Sequence, residues 1–362
     1  LPPLEAWEKV FIGSDTFLKD VHNTPNCIGC HGGQPGTDDK VAAHKGVVRD
    51  PSADKGGVCA NCHGEIAKTS ATSLHYTING YYTILGQRGF DFNDPKKAEI
   101  FDRHCTSCHA TCGQCHISRP TSADGGLVKE HQVKSIVSLS DTCLGCHGGR
   151  VGPEFMGKNP GVPGDVHWTK GINCFKCHNM TQFHGDGTLY AHRYDGKPAP
   201  SCLDCHPDAA PGKGQVMQHN IHGDKLDCRV CHSAGAYKSC WNCHVGLDKE
   251  GLPYRKLDPS VLTFKIGKNP NPTPDRPWEY VLVRHIPVPA DIFGSYGDNM
   301  LPNWASVPTW KYATVHNIQK ITPQNKDCKN CHGHPELFLT EKDVDPAELQ
   351  ANRAVIVTEI PK

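Results

Sequence analysis

The sequence predicts a mostly irregular fold with short α-helices and little β-structure, on three observations. Glycine and proline are abundant, 36 and 28 of 362 residues, and interrupt long regular elements. Leu, Ile, Val and Phe together make up only about a fifth of the chain, which is at the edge of a disordered composition. The 20 cysteines all occur as CxxC pairs, and each pair is followed at once by histidine. Disorder would also need a high net charge, whereas 38 basic residues balance 38 acidic ones. The chain is therefore expected to fold around buried mass that aliphatic side chains do not supply.

The ten CxxCH motifs carry the chemistry. In order they are Cys27/Cys30/His31, Cys59/Cys62/His63, Cys105/Cys108/His109, Cys112/Cys115/His116 and Cys143/Cys146/His147. The second five are Cys174/Cys177/His178, Cys202/Cys205/His206, Cys228/Cys231/His232, Cys240/Cys243/His244 and Cys328/Cys331/His332. On one helical turn, positions i, i+3 and i+4 share a face. Two thiols can then take up the two vinyl groups of a haem as thioethers while the following imidazole binds the iron. Zinc knuckles also use CxxC, but they do not require histidine at the next position, and here it stands there ten times in ten. A disulfide framework likewise leaves the ten histidines unexplained. The residues point to ten covalently attached haems c and to no metal besides iron.

On these motifs the chain resembles the multihaem (decahaem) c-type cytochromes, with coverage from Cys27 to His332. The run CTSCHATCGQCHISRP, Cys105 to Pro120, is similar to the tight haem pairs in extracytoplasmic electron-transfer cytochromes of respiratory bacteria and archaea. The resemblance implies a haem-packed architecture, attachment of haem to reduced thiols after export, and a periplasmic or extracellular location. No apolar stretch approaches the roughly 20 residues of a membrane span, and an export signal removed before Leu1 is the expectation. Each haem adds two propionates against one net positive charge on ferric iron, so the loaded protein is expected to be acidic. That argues against nucleic acid as a partner and favours redox partner proteins or extracellular electron acceptors. Some members of the resembled family polymerise, so a homo-oligomer or conducting filament is a further expectation.

The second axial ligand decides between conductor and enzyme. Of 23 histidines ten belong to motifs, which leaves 13: His22, His44, His75, His104, His131, His167, His184, His192, His219, His222, His285, His316 and His334. The rival ligand is methionine, and the chain has four: Met156, Met180, Met217 and Met300. The expectation is bis-histidine coordination of most or all haems, with the first twelve of those histidines as candidate ligands. Such iron has low potential and no place for substrate. The expected function is electron transfer, with no catalytic residue. The alternative is a multihaem oxidoreductase of the nitrite, hydroxylamine or tetrathionate type with one open haem. The nitrite reductases mark their open haem with lysine in place of the motif histidine, which no motif here shows.

Along the chain, nine motifs fill a dense body, residues 1–245, which is followed by a haem-poor segment, 246–327, and by the tenth motif with the tail, 328–362. Within the body CIGCHGGQPG at Cys27 recurs as CLGCHGGRVG at Cys143, which suggests two four-haem modules, about 1–130 and 131–245. The third motif does not follow that repeat. Each motif is expected on one or two helical turns. VLTFKIG and WEYVLVRHI read as strands, and Asp345-Pro346-Ala347-Glu348 reads as a capped helix start. The haem-poor segment is expected as an ordered strap carrying His285 and His316. The closing AVIVTEI has strand propensity; it is expected to pack on the chain's own insert, with docking on a second copy as the alternative. The turn His184-Gly-Asp-Gly187 reads as a solvated turn rather than a calcium site. Trp168 and Trp241 are expected to pack on porphyrin faces.

Overall fold

A computed structural model of the chain describes residues 4–196, 200–234, 242–258 and 264–360. Helices are short: the longest among the described residues, Pro95–Cys105, has 11 residues, and the α-helices that carry motif residues elsewhere have four to six. Side-chain caps define several of their starts. Thr111 and Ser201 form reciprocal capping boxes with Gln114 and Asp204, and Asp227 accepts from Arg229 N. The expected mostly irregular fold with short helices is what the structure shows.

Contacts divide the chain into two compact units made of interleaved segments. One comprises Leu1–Tyr81, Cys105–Gly148 and His178–Lys197; the other comprises Tyr82–His104, Gly149–Cys177 and Pro198–Lys362.

The second unit holds two sheets. Strands β1 (Asn242–Leu247) and β2 (Pro253–Asp258) form an antiparallel pair. Strands β3 (Phe264–Lys268), β4 (Tyr280–His285) and β5 (Trp310–Tyr312) form an antiparallel sheet in which Ile266 pairs with Leu282 and His285 with Trp310. The two-residue period of β4 sends Leu282 to one face, with Phe264, Ile266, Val315 and Phe338, and Val281 and Val283 to the other, with Trp310, Leu339 and Val355. Both faces are covered, and each of these side chains contributes roughly 1.5–3 kcal/mol. Gly267 keeps the layers close, since a Cβ there would meet Val283 Cγ2 at 2.8 Å and the Val355 carbonyl oxygen at 2.9 Å. Of the two runs read as strands in the sequence, VLTFKIG covers β3 up to Gly267 and WEYVLVRHI contains β4; Val261–Thr263 lie outside the described residues. Residues of the segment 246–327 thus build this sheet.

The tail folds onto the same sheet. Val355, Ile356 and Val357 are buried, and Val357 N donates to Leu339 O at 2.8 Å. The sequence AVIVTEI forms no strand here: Arg353–Val355 is a 3-10 turn, and Val355 in it with Ile356 and Val357 after it packs into the chain's own core. Asp345 caps the turn Pro346–Glu348 through Ala347 N, as its sequence suggests. Glu348 then accepts from Thr309 Oγ1 at 2.6 Å instead of closing a capping box.

The first unit is built differently. Among its described residues Phe17, Ala67 and Ile78 are the buried apolar side chains. Apolar residues beside the motifs are exposed instead, including Val21, Ile28, Val47, Val48 and Ile66. Its backbone is fixed by short turns and by hydrogen bonds such as Gly113 N to Ser52 Oγ at 2.8 Å and Thr111 Oγ1 to Asp50 Oδ2 at 2.7 Å. In neither unit is any described helix long and apolar enough to cross a membrane.

Candidate metal centres

Eight motifs lie wholly described in or beside helical turns, either α-helical or 3-10, as their spacing implies: Asn26–His31, Gly57–Asn61, Thr106–Cys108, Cys112–His116, Leu144–His147, Cys174–Cys177, Cys202–Cys205 and Cys228–His232 contain or adjoin them. The tenth motif follows the same rule, with a 3-10 turn at Cys328–Asn330 that Cys331 closes as its C-cap. The ninth departs from it. Cys240 and Trp241 lie outside the described residues, and Asn242, Cys243 and His244 belong to strand β1, where pairing with β2 replaces the helical turn.

In motif one both cysteines lie within Asn26–His31, whereas in motif two, as in motif ten, the second cysteine follows a 3-10 turn. Cys62 is not inside its turn: it stands exposed as the C-cap of Gly57–Asn61, with its N–H on Cys59 O at 3.3 Å. The tighter 3-10 winding, closed by i to i+3 bonds, ends before the second cysteine is reached. Cys30 does lie within Asn26–His31, half-buried, but its thiol neighbours Cys59 of motif two and helps to raise the pKa of that group. Among the described residues no cysteine is in a disulfide. Among the described residues no group of three or more His, Cys, Asp or Glu side chains could hold a bare metal ion, so Cys30 with His31 and Cys62 with His63 build no such cluster.

Motif and spare histidines come together in facing pairs. Two imidazoles bound on opposite sides of one metal, each at about 2.0 Å, have ring centres roughly 6 Å apart once the distance from nitrogen to ring centre is added. In the first unit His31 faces His131 at 5.9 Å, His63 faces His22 at 6.3 Å, His116 faces His184 at 6.1 Å and His147 faces His75 at 6.4 Å. In the second, His206 faces His167 at 6.3 Å, His232 faces His219 at 6.0 Å and His332 faces His222 at 6.1 Å. Each pair joins one motif histidine to one spare histidine.

The rings are oriented from behind. Histidine ligands present one nitrogen to the metal while the other donates to a carbonyl or carboxylate. Nδ1 of His31 donates to Val48 O at 2.8 Å, that of His232 to Gln319 O at 3.1 Å, and that of His116 to Lys134 O. Among the spare histidines, Nδ1 of His22 is held by Asp20 at 2.6 Å, that of His167 by Asp165 at 2.8 Å, and those of His184 and His222 by Met180 O and Gln218 O at 3.2 Å each. Nε2 is thereby left for coordination. Burial and the neighbouring His147, His178 and His184 lower the pKa of His75 to about 4, so it stays in the neutral form a metal needs.

The other spare histidines have different surroundings. His104 is buried and directs Nε2 to the Tyr296 hydroxyl at 2.6 Å, while Arg255 donates to its carbonyl. His285 stacks near Trp310 with Nε2 3.5 Å from Glu348, and His316 N donates to Glu154 Oε1 at 2.7 Å. His44, His192 and His334 hold Nδ1 against Lys40 O, Asp195 and Glu336. Three motif histidines, His109, His178 and His244, stand outside these seven pairs. His109 packs on Tyr76, with ring centres 4.7 Å apart, and His244 places Nε2 3.2 Å from Asp258. His178 donates from Nδ1 to Gln182 Oε1 at 3.1 Å. Trp168 packs on Phe155 at 5.7 Å.

Thiols of different motifs are in contact. Cys59 hydrogen-bonds to Cys112, Cys108 to Cys146 and Cys228 to Cys202. The bond received from its neighbour lowers the pKa of Cys112 to about 7, and of Cys146 and Cys202 to about 6. Ser122 Oγ, 2.9 Å from Cys146 Sγ, adds to the effect. A thiol held toward thiolate is the stronger nucleophile at neutral pH. Comparison of the chain with protein-family models, with curated proteins and with solved structures returned no match.

Proposed function

We propose that this chain is an electron carrier of the periplasm or cell exterior that holds ten haems c, most of them between two histidines. The observation that supports it is the set of facing imidazole pairs, 5.9 to 6.4 Å between ring centres, each uniting a CxxCH histidine with a spare one. The residues fit the group. In each motif the cysteine pair supplies two thioether sulfurs, the following histidine supplies one axial nitrogen, and the facing histidine supplies the other. Haem c supplies a one-electron iron couple and a conjugated ring edge. The chain's own work is to fix ring orientation through Nδ1, to keep ligands such as His75 neutral, and to deny a coordination position to solvent or substrate. Partners are then redox proteins or extracellular acceptors, and assembly into a homo-oligomer or filament belongs to the same reading.

Low-temperature electron paramagnetic resonance of the oxidised holoprotein tests the ligation. Seven facing pairs among the described residues predict at least seven low-spin haems, so a high-spin signal from more than three of ten contradicts it. One observation favours a second reading, an oxidoreductase with an open haem: His109 meets a tyrosine ring rather than a histidine. Stoichiometric binding of carbon monoxide to the native reduced protein, at a single haem, selects that reading.

A further inference from the structure

We infer that the attachment sites neighbour one another in the order one, two, four, five, three in one row, in the first unit, and six, seven, eight, ten in another, where site six is placed by its cysteine pair, Cys174 and Cys177, in the second unit. Site five, not site four, is then nearest to site three, although only two residues separate motifs three and four. This rests on the haem reading above.

Each link is carried by residues shared between two sites. Sites one and two are joined because His22, which faces His63 of site two, lies in the turn Val21–Asn23 that closely precedes the helix of motif one. Cys30 of site one, beside Cys59 of site two, makes the same link from the thiol side. Sites two and four meet where Cys59 contacts Cys112, over the bonds from Thr111 and Gly113 to Asp50 and Ser52. Sites four and five meet at adjacent residues: His184 faces His116 of site four, while Phe183 lies 6.1 Å from His75 of site five. Thr142 Oγ1 also donates to Cys115 O at 3.4 Å. Sites five and three share another adjacent pair. His75 faces His147 of site five, Tyr76 packs on His109 of site three, and Ala110 N donates to His75 O at 3.0 Å. The Cys108–Cys146 contact closes that link.

In the second unit Ile172 N, two residues before Cys174 of site six, donates to the carbonyl of His167, which faces His206 of site seven; Val166 N beside that histidine donates to Ile318 O, and the next residue, Gln319, donates its N–H to His232 O of site eight. Sites eight and ten are fixed by one helix, Met217–His222, which offers His219 to His232 and, one turn on, His222 to His332. Thr322 and Gln324, in the cap and first turn before motif ten, donate to Cys231 O and Ser233 O. Spatial order therefore departs from sequence order at site three, which ends its row, whereas site seven sits between six and eight. That is where the internal repeat of the sequence also fails.

Anomalous diffraction at the iron edge from crystals of the holoprotein, with each iron assigned through its CxxCH connection, tests the order. The expected result is that the iron nearest to site three belongs to motif five, and that irons eight and ten are nearest neighbours. An iron of motif four closer to site three, or any iron lying between eight and ten, overturns the order while leaving the haem reading intact. Motifs without iron overturn the haem reading itself, and the order with it.

Discussion

His184 and His104 are both spare histidines of the same chemical type, and what surrounds each ring separates them. His184 has Nδ1 on Met180 O and faces His116, whereas His104 has Nε2 on the Tyr296 hydroxyl. His184→Ala is expected to convert one low-spin haem to high-spin, with new carbon monoxide binding in the reduced protein. His104→Ala is expected to leave the spin count unchanged and to destabilise the fold by about 1–3 kcal/mol through loss of a buried polar partner, read by thermal unfolding. The reverse pattern contradicts the assignment. The cysteines and motif histidines were legible in the sequence because their spacing is local. What each thiol lies beside was not: the neighbour of Cys30 is Cys59, 29 positions on, and only the fold brings them together. The choice of partner for each spare histidine was hidden for the same reason, since His116 and His184 meet only through the tertiary fold. Local signals did exist: Asp20 and Asp165 each stand two residues before a histidine whose Nδ1 they hold.

At the scale of elements, the helix Met217–His222 brings one histidine to each of two motif histidines within one turn. The i, i+3 spacing of His219 and His222 puts both rings on one side, a pattern readable in the sequence before either partner is known. Proline in such a helix removes a hydrogen bond and clashes with the preceding turn, at about 3 kcal/mol. Asn220→Pro is therefore expected to disturb both sites and to yield two high-spin haems, whereas His219→Ala yields one; a single high-spin haem from the proline variant would separate sites eight and ten. Strands β3 and β4 were legible from their branched and aromatic runs. The strand at motif nine was not, because CxxCH carries a helical expectation and the pairing of His244 with Lys256 across β2 is a tertiary effect. Nor was the position of Cys62 outside its turn, because CxxCH spacing does not distinguish an α-helical from a 3-10 winding.

At the scale of the molecule, the two units bury apolar surface by different means. The second unit has a two-faced sheet core into which Val355, Ile356 and Val357 of the tail are packed. Deletion of residues Ala354–Lys362 is expected to lower the unfolding temperature of the holoprotein markedly, since each of those side chains contributes roughly 1.5–3 kcal/mol. An unchanged transition would mean that the tail packs elsewhere. The first unit has few buried apolar side chains and many exposed ones beside its motifs, the arrangement its low aliphatic content implies. The composition raised the expectation of some other buried mass; it could not show that the chain interleaves its segments into two units, because those boundaries depend on long-range contacts. Intact mass spectrometry under denaturing, reducing conditions tests the central claim most directly. The account predicts a single species heavier than the 39.6 kDa polypeptide by ten haems with no free thiol. A polypeptide mass without haem, or cysteines that react with a thiol reagent after unfolding, would contradict it.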